Sequence, residues 1–434
     1  MPSPKLPKVK LFSFFLLVAL PFSLGGCNNQ QLSLGPKVTL NYWGLFEKPE
    51  VMAPLIKKYQ DLHPNITINY QQQSYTSLAS YKELVATRLS QKTAEVAPDI
   101  VRVHLSWLPA FSKWLSPLPT NVYSASDYTQ TFYPSASKLA TVNCALYGIP
   151  LMYDGLVLVY NPDLFAEAGI VSPPSTWEDF RTTAINLTKV NSTGQIAQAG
   201  AALGLVSNVP FASDVLSLMW SQSGLKIPDD LGTQAAADAL TFYTNFAKRD
   251  RVWDNSLPYS INAFAQGKVA MVLLPSWALL DVLGANPAAK IAVAPIPQVP
   301  SLNAAQSKVT WGSYWVESVA KSSANAAAAW DFLKFLSEQS QEQLFYSEAA
   351  KIRPFGEIYS RRDLRESLSS SAYLAPVLAG AEAATSAITS DRSGNDVYVA
   401  AVNDAINAVN AGTLESVALT TCKQTLQQLI SRAN

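Results

Sequence analysis

Cysteine and histidine are scarce, with three and two residues in a chain of 434. Neither a CxxC pair with a second ligand pair nor an HExxH helix can be assembled from so few, which excludes structural zinc. No metal site and no cofactor is expected. Charge of one sign is not in excess either, because Lys plus Arg and Asp plus Glu each number 32. Nothing therefore draws the chain to nucleic acid or to another polyanion. A GxSxG elbow, a P-loop, internal repeats and low-complexity tracts are all missing, which removes several enzyme classes at once.

What is present is a large apolar fraction. Hydrophobic residues make up 48% and charged residues only 15%, a composition that folds and buries a core. The length corresponds to two or three units, enough to leave a cleft between them. Short β-branched runs alternate with stretches of helical spacing, the pattern of α/β units with mostly parallel sheets. Residues 38–43 read as a strand, Leu55, Ile56, Tyr59 and Leu62 recur at helical spacing, and 66–70 read as the next strand. A helix follows through Tyr81, Leu84, Val85 and Leu89, then a buried strand at 99–103 and a helix over 106–115. Ser175 with Glu178 predicts a capping box. Thr233 and Asn325 predict further helix starts, and Ala411-Gly412 separates two final helices over 395–409 and 413–431. His63, in His63-Pro64-Asn65, reads as a turn residue, and His104, at a strand end, as a structural or cleft-wall residue.

The N-terminus carries its own message. Lys5, Lys8 and Lys10 precede an apolar run over 11–22 that is too short to span a bilayer as a stable helix. Leu24-Gly25-Gly26-Cys27 follows. The segment resembles a bacterial lipoprotein signal peptide, which implies cleavage before Cys27, lipidation of its thiol and membrane contact through that lipid alone. Residues 1–26 are thus expected to be signal and 27–37 tether, with the body in an extracytoplasmic space, periplasmic or at the outer cell surface. Losing three lysines leaves 29 basic against 32 acidic residues. That compartment permits a disulfide between Cys144 and Cys422, the alternative being buried free thiols.

From Tyr147 the chain reads Tyr147-Gly148-Ile149-Pro150, then Leu156-Val157-Leu158-Val159-Tyr160-Asn161-Pro162-Asp163-Leu164-Phe165, Ala168-Gly169-Ile170 and Pro174-Ser175-Thr176-Trp177-Glu178-Asp179-Phe180. This block resembles the extracellular solute-binding proteins of ABC importers, in their carbohydrate-binding group. Pro98-Asp99-Ile100-Val101, the Gly267-Lys268-Val269-Ala270-Met271 segment with Trp277, and Trp330-Asp331-Phe332-Leu333-Lys334-Phe335-Leu336 match in the same order. The resemblance implies a type II periplasmic-binding-protein fold, an α/β architecture with two lobes joined by three hinge crossings. The crossings are expected near residues 151–153, 308–312 and 352–355. Lobe 1 would then comprise 38–152 and 312–352, and lobe 2 would comprise 153–311 and 353–434.

A sugar offers hydroxyls on its rim and a C–H-rich face, so its receptor needs flat rings beside paired polar groups. By resemblance Trp277 matches a stacking tryptophan, Asp154 a sugar-contacting carboxylate and Phe211 a second ring. Glu47, Ser106 and Trp107 fall at positions lining the opposite lobe, and Trp311, Tyr314, Tyr398 and Arg353 are further candidates. Asn208 stands where maltose-binding members carry an acidic residue, and Ser106-Trp107 where they carry a polar and a charged one, which argues against maltose itself. The resemblance implies a monomeric, non-enzymatic receptor for a sugar, oligosaccharide or polyol, with the permease subunits of an ABC importer as partners. A carbohydrate-active enzyme using Asp154 and Glu47 is the alternative, requiring the two carboxyls at about 5 to 9.5 Å across a bond. Capture of a metal complex or small peptide on the same fold is a second alternative.

Overall fold

The computed structural model describes residues 2–3, 5, 36–91, 97–300 and 308–433. Cys27 and nearly all of the expected signal segment lie outside the described residues. Two lobes are each built on their own sheet, as the sequence led us to expect. The first sheet has four strands in the order Trp315–Val319, Ile100–His104, Val38–Gly44 and Ile66–Gln72. The last three run parallel, and Trp315–Val319 is antiparallel to Ile100–His104. Val38–Gly44 shows the period-two pattern of a strand, with Leu40 and Tyr42 fully buried and Thr39 exposed. Ile100–His104 is buried along its whole length, as an interior strand covered on both faces must be.

The second sheet is five-stranded, in the order Ala292–Ala294, Leu156–Tyr160, Val269–Pro275, Ile196–Ala201 and Lys189–Val190. Here the expectation of a mostly parallel sheet fails: only Ile196–Ala201 and Val269–Pro275 pair in parallel. The reason is topological. Leu156–Tyr160 leaves the crossing directly, so it starts at the edge where Val269–Pro275 ends, pairing Leu156 with Pro275.

Local signals placed most helices correctly. Thr233 caps Gln234–Lys248 through its hydroxyl, and Gly412, at φ 102°, separates Asp396–Asn410 from Glu415–Ala433. The left-handed backbone there favours a residue without Cβ. The expected capping box at Ser175 does not form, and a simple N-cap stands one residue later. Thr176, not Ser175, receives the amide of Asp179 at 3.1 Å and starts Trp177–Leu187. The single helix expected over 106–115 is instead a short helix, Leu108–Phe111, between two 3-10 turns.

Three segments lie side by side between the lobes. Gly155 bridges Gly312, and Thr310–Trp311 pairs in parallel with Ala384–Thr385. Their spacing requires glycine: a Cβ on Gly155 would lie 2.8 Å from the Trp311 carbonyl oxygen. The crossing expected at 352–355 is corrected accordingly, because that stretch stays with the first lobe. Beyond it, Tyr153 donates its amide to the Ile358 carbonyl, and Ser360 bonds both Pro150 and Glu342. The C-terminal helices Asp396–Asn410 and Glu415–Ala433 then pack on the second lobe against Ala212–Gln222 and Gln234–Lys248.

Candidate functional site

Open α/β sheets bind ligands beyond the ends of their strands, and both sheets turn such an edge toward the crossing segments. On the first lobe, the loops after Val38–Gly44 and Ile66–Gln72 form a depression of about 450 Å³ lined by Leu45, Phe46, Gln72, Gln73, Ser74 and Tyr75. Phe46 is 39% exposed and Tyr75 43%, and the two rings meet edge to face at 6.4 Å to form a small continuous apolar surface. Phe46 is held from behind by Trp315, edge to face at 5.4 Å. Its loop is pinned by Tyr70, which donates to the Glu47 carbonyl at 2.7 Å, and by Gln72, which donates to the Phe46 carbonyl at 3.2 Å.

On the second lobe the strand Val269–Pro275 delivers Ser276 and Trp277 to its edge, beside Asp154. One Asp154 oxygen accepts the Ser276 amide at 2.9 Å and hydroxyl at 2.8 Å, and the other accepts the Trp277 amide at 3.3 Å. Burial pushes the carboxyl up to about 7, although these hydrogen bonds favour the ionised form. The Trp277 indole is partly exposed and packs against the buried Phe211 ring at 5.6 Å, edge to face. Phe211 sits in the left-handed region at φ 63°, its amide donated to Asp391 at 3.1 Å. Arg392, also left-handed, holds its guanidinium 5.8 Å from the Trp277 ring centre, within cation–π range. The Arg392 charge also bears on Tyr259 and Asp281 of the same lobe and on Tyr75 of the other, so the two walls are in electrostatic range.

The other candidates from the sequence have their polar groups engaged within the protein, and all but Ser106 and Arg353 are buried. Trp107 is 1% exposed and donates its indole N–H to the Ser393 carbonyl at 2.6 Å. Glu47 is 5% exposed and paired to Arg102, which also binds Glu317. Asn208 donates to the carbonyls of Asp254 and Leu257 and accepts from Trp253. Trp311 donates to the buried Asp214, Tyr314 bonds Ser135, and Tyr398 donates to the Leu429 carbonyl. Arg353 is held by Glu357 and the Phe355 carbonyl. Ser106 bonds His104 and Asn395. The disulfide alternative is also resolved: Cys144 is exposed in a hairpin turn, Cys422 is buried in the last helix, and both thiols are free.

Trp277 and Asp154 therefore meet at one edge of the second lobe, and Phe211 is a buried ring behind Trp277, not a second exposed one. Phe46, Tyr75 and Arg392, absent from the sequence reading, stand as further candidates. Phe46 and Tyr75 carried a usable signal, since each is an aromatic placed just after a strand. Arg392 carried none, because only the tertiary fold brings its segment to Trp277.

Comparison with known proteins agrees with the fold. Residues 46–343 match the sequence profile of a family described as bacterial extracellular solute-binding protein. A binding protein of Brucella abortus is 23% identical over 300 residues, 67% of this chain and 69% of its own. An ABC transporter solute-binding protein from Thermotoga lettingae, solved with α-D-tagatose, superposes with a TM-score of 0.68 at 21% identity, over 90% of this chain and 99% of that one. A cyclo/maltodextrin-binding protein complexed with maltotetraose gives a TM-score of 0.71 at 16% identity, covering 92% and 98%. The sugar-binding protein MalE from Xanthomonas citri gives 0.71 at 18%, covering 91% and 98%.

Proposed function

Because the chain belongs to the bacterial extracellular solute-binding protein family, we propose that it captures a sugar, oligosaccharide or related polyol between its lobes and delivers it to an ABC permease. The observation that carries this reading is Trp277, a partly exposed indole backed by Phe211, beside a carboxylate that its own backbone amide holds in place. Phe46 and Tyr75 on the opposite lobe supply the second aromatic surface. A pyranose ring needs that combination, an apolar plate for its C–H face and an oxygen that accepts from its hydroxyls. The crossings at Gly155, Gly312 and Ala384 supply the hinge about which the lobes would close.

Acyl chains on Cys27 would keep the receptor at the membrane surface, and among the described residues no helix is long and apolar enough to cross a bilayer. The glycosidase alternative loses its carboxylate pair, since Glu47 is paired to Arg102 inside the first lobe while Asp154 stands at the second. The charges beside these rings, Arg392 and Asp154, stand singly, and among the described residues no group of three metal-ligating side chains forms.

Titration of tryptophan fluorescence with tagatose, mannobiose and maltotetraose, followed by product analysis after long incubation, tests the reading. Saturable change without turnover is expected. A flat response to every sugar refutes the carbohydrate ligand, and hydrolysis refutes the receptor role.

A further inference from the structure

A chain of polar side chains runs under the cleft floor from Lys82 to Ser313, and every proton in it can be assigned. Asn395 sets the direction. Its side-chain nitrogen donates to the Ile388 carbonyl at 3.0 Å, which can only accept, while its side-chain oxygen accepts from the Lys82 ammonium, which can only donate. The second proton of that nitrogen goes to the Ser106 hydroxyl oxygen at 2.8 Å.

His104 comes next. The Ser106 backbone amide points at its Nδ1 at 3.3 Å, so Nδ1 must be an unprotonated acceptor. The Ser106 hydroxyl, 2.7 Å from the same atom, then donates to it. Burial, with the Lys82 charge nearby, pushes the imidazole down to about 3 and keeps it neutral. A neutral ring with bare Nδ1 carries its proton on Nε2, which lies 3.1 Å from the Ser313 hydroxyl oxygen.

Ser313 thus accepts from His104 and retains its own proton, for which no acceptor exists among the described residues. It is the one residue of 310–320 that is not buried. It stands in the crossing segment, its amide donated to the Asp154 carbonyl at 3.2 Å, beside the carboxylate that positions Trp277. We infer that Ser313 is a solute-binding residue that offers its hydroxyl proton to an acceptor oxygen of the bound molecule, a ring oxygen, glycosidic oxygen or hydroxyl. Lys82, Asn395, Ser106 and His104 are positioning residues whose donors all point the same way, each polarising the next. This deepens the carbohydrate reading and rests on it.

The test has two arms on the mature protein. In the first, ¹⁵N-histidine NMR, with a His63→Gln variant to assign the two rings, reads the His104 tautomer from pH 5 to 8. A neutral ring protonated on Nε2 throughout is expected, and a proton on Nδ1 or a cationic ring at pH 7 overturns the chain of donors. In the second, Ser313→Ala is titrated with whichever of tagatose, mannobiose and maltotetraose the wild type binds. A three- to tenfold loss of affinity at unchanged thermal midpoint is expected for one neutral hydrogen bond. If the wild type binds a sugar and Ser313→Ala binds it equally well, the Ser313 assignment falls and the receptor reading stands. If the wild type binds none of the three, the carbohydrate reading falls and takes the solute role of Ser313 with it, while the first arm still decides the proton order.

Discussion

Asp154 holds Trp277 by its backbone: the carboxylate accepts the Trp277 amide at 3.3 Å while its other oxygen grips Ser276 at 2.9 and 2.8 Å. The indole is therefore hung from the segment that carries Asp154, so its position is set by that segment. Burial raises the Asp154 carboxyl to about 7, so it is mostly protonated at pH 6 and mostly ionised at pH 8. The ionised form is the better acceptor for both the Trp277 amide and a sugar hydroxyl. Affinity is expected to weaken severalfold as pH falls through about 7, and Asp154→Asn should bind weakly with no such step. Isothermal titration at pH 6, 7 and 8 checks this; a step that survives in Asp154→Asn assigns the titration elsewhere.

Two tryptophans should respond in opposite ways to truncation. Trp277 is partly exposed, so Trp277→Ala should weaken sugar binding about tenfold or more, roughly 1.4 kcal/mol, with little change in the ligand-free thermal midpoint. Trp107 is 1% exposed with its N–H bonded to Ser393, so Trp107→Ala should cost about 3–5 kcal/mol of stability. Thermal scans and titrations on both variants decide the matter, and a large stability loss in Trp277→Ala would mark that ring as core.

Arg102 stands between Glu47 and Glu317, all three nearly sealed from solvent. Removing the cation would leave two buried carboxylates facing each other. Arg102→Met is expected to destabilise by about 3–5 kcal/mol, visible as a lowered urea midpoint. An unchanged midpoint would show that the triad is dispensable.

Glu342 gives a pH-dependent stability effect. It is 1% exposed, bonds the Ser360 hydroxyl, accepts the Ser360 amide, and burial pushes it up to about 8. A carboxyl raised above its unfolded value near 4.5 favours folding when protonated, and that advantage is lost as pH climbs from about 4.5 to about 8. Glu342→Gln removes this loss. The variant should therefore gain thermal midpoint relative to wild type between pH 5 and pH 8, and a difference independent of pH would refute the shift. His104 has the opposite sign: being held neutral, it withdraws stability as pH falls from about 6.5 toward 3. It is common to both proteins and cancels in the difference.

Signals confined to a few neighbouring residues were readable in advance. The alternation of strands and helices, the helix from Gln234 capped by Thr233 and the stop at Gly412 rest on spacing and backbone preference, whereas the two lobes followed from the family resemblance. Hydrogen-bond partners far along the chain were not. Trp107, Trp311 and Tyr398 look like cleft aromatics because they follow strands or start helices, yet the partners that take up their polar atoms are Ser393, Asp214 and Leu429. Glu47 looked like a loop carboxylate until Arg102 was placed beside it.

Linear order established an apolar, neutral, cysteine-poor chain that must fold around alternating strands and helices, because periodicity and composition act through near neighbours. Which rings face solvent and which are sealed was decided only when the segment through Ser393 and Asn395 folded over Trp107 and Ser106. The direction of the hydrogen bonds that end at Ser313 was decided there too. Burial and donor direction depend on groups hundreds of residues apart meeting in a medium without water, where each buried polar atom must find its partner.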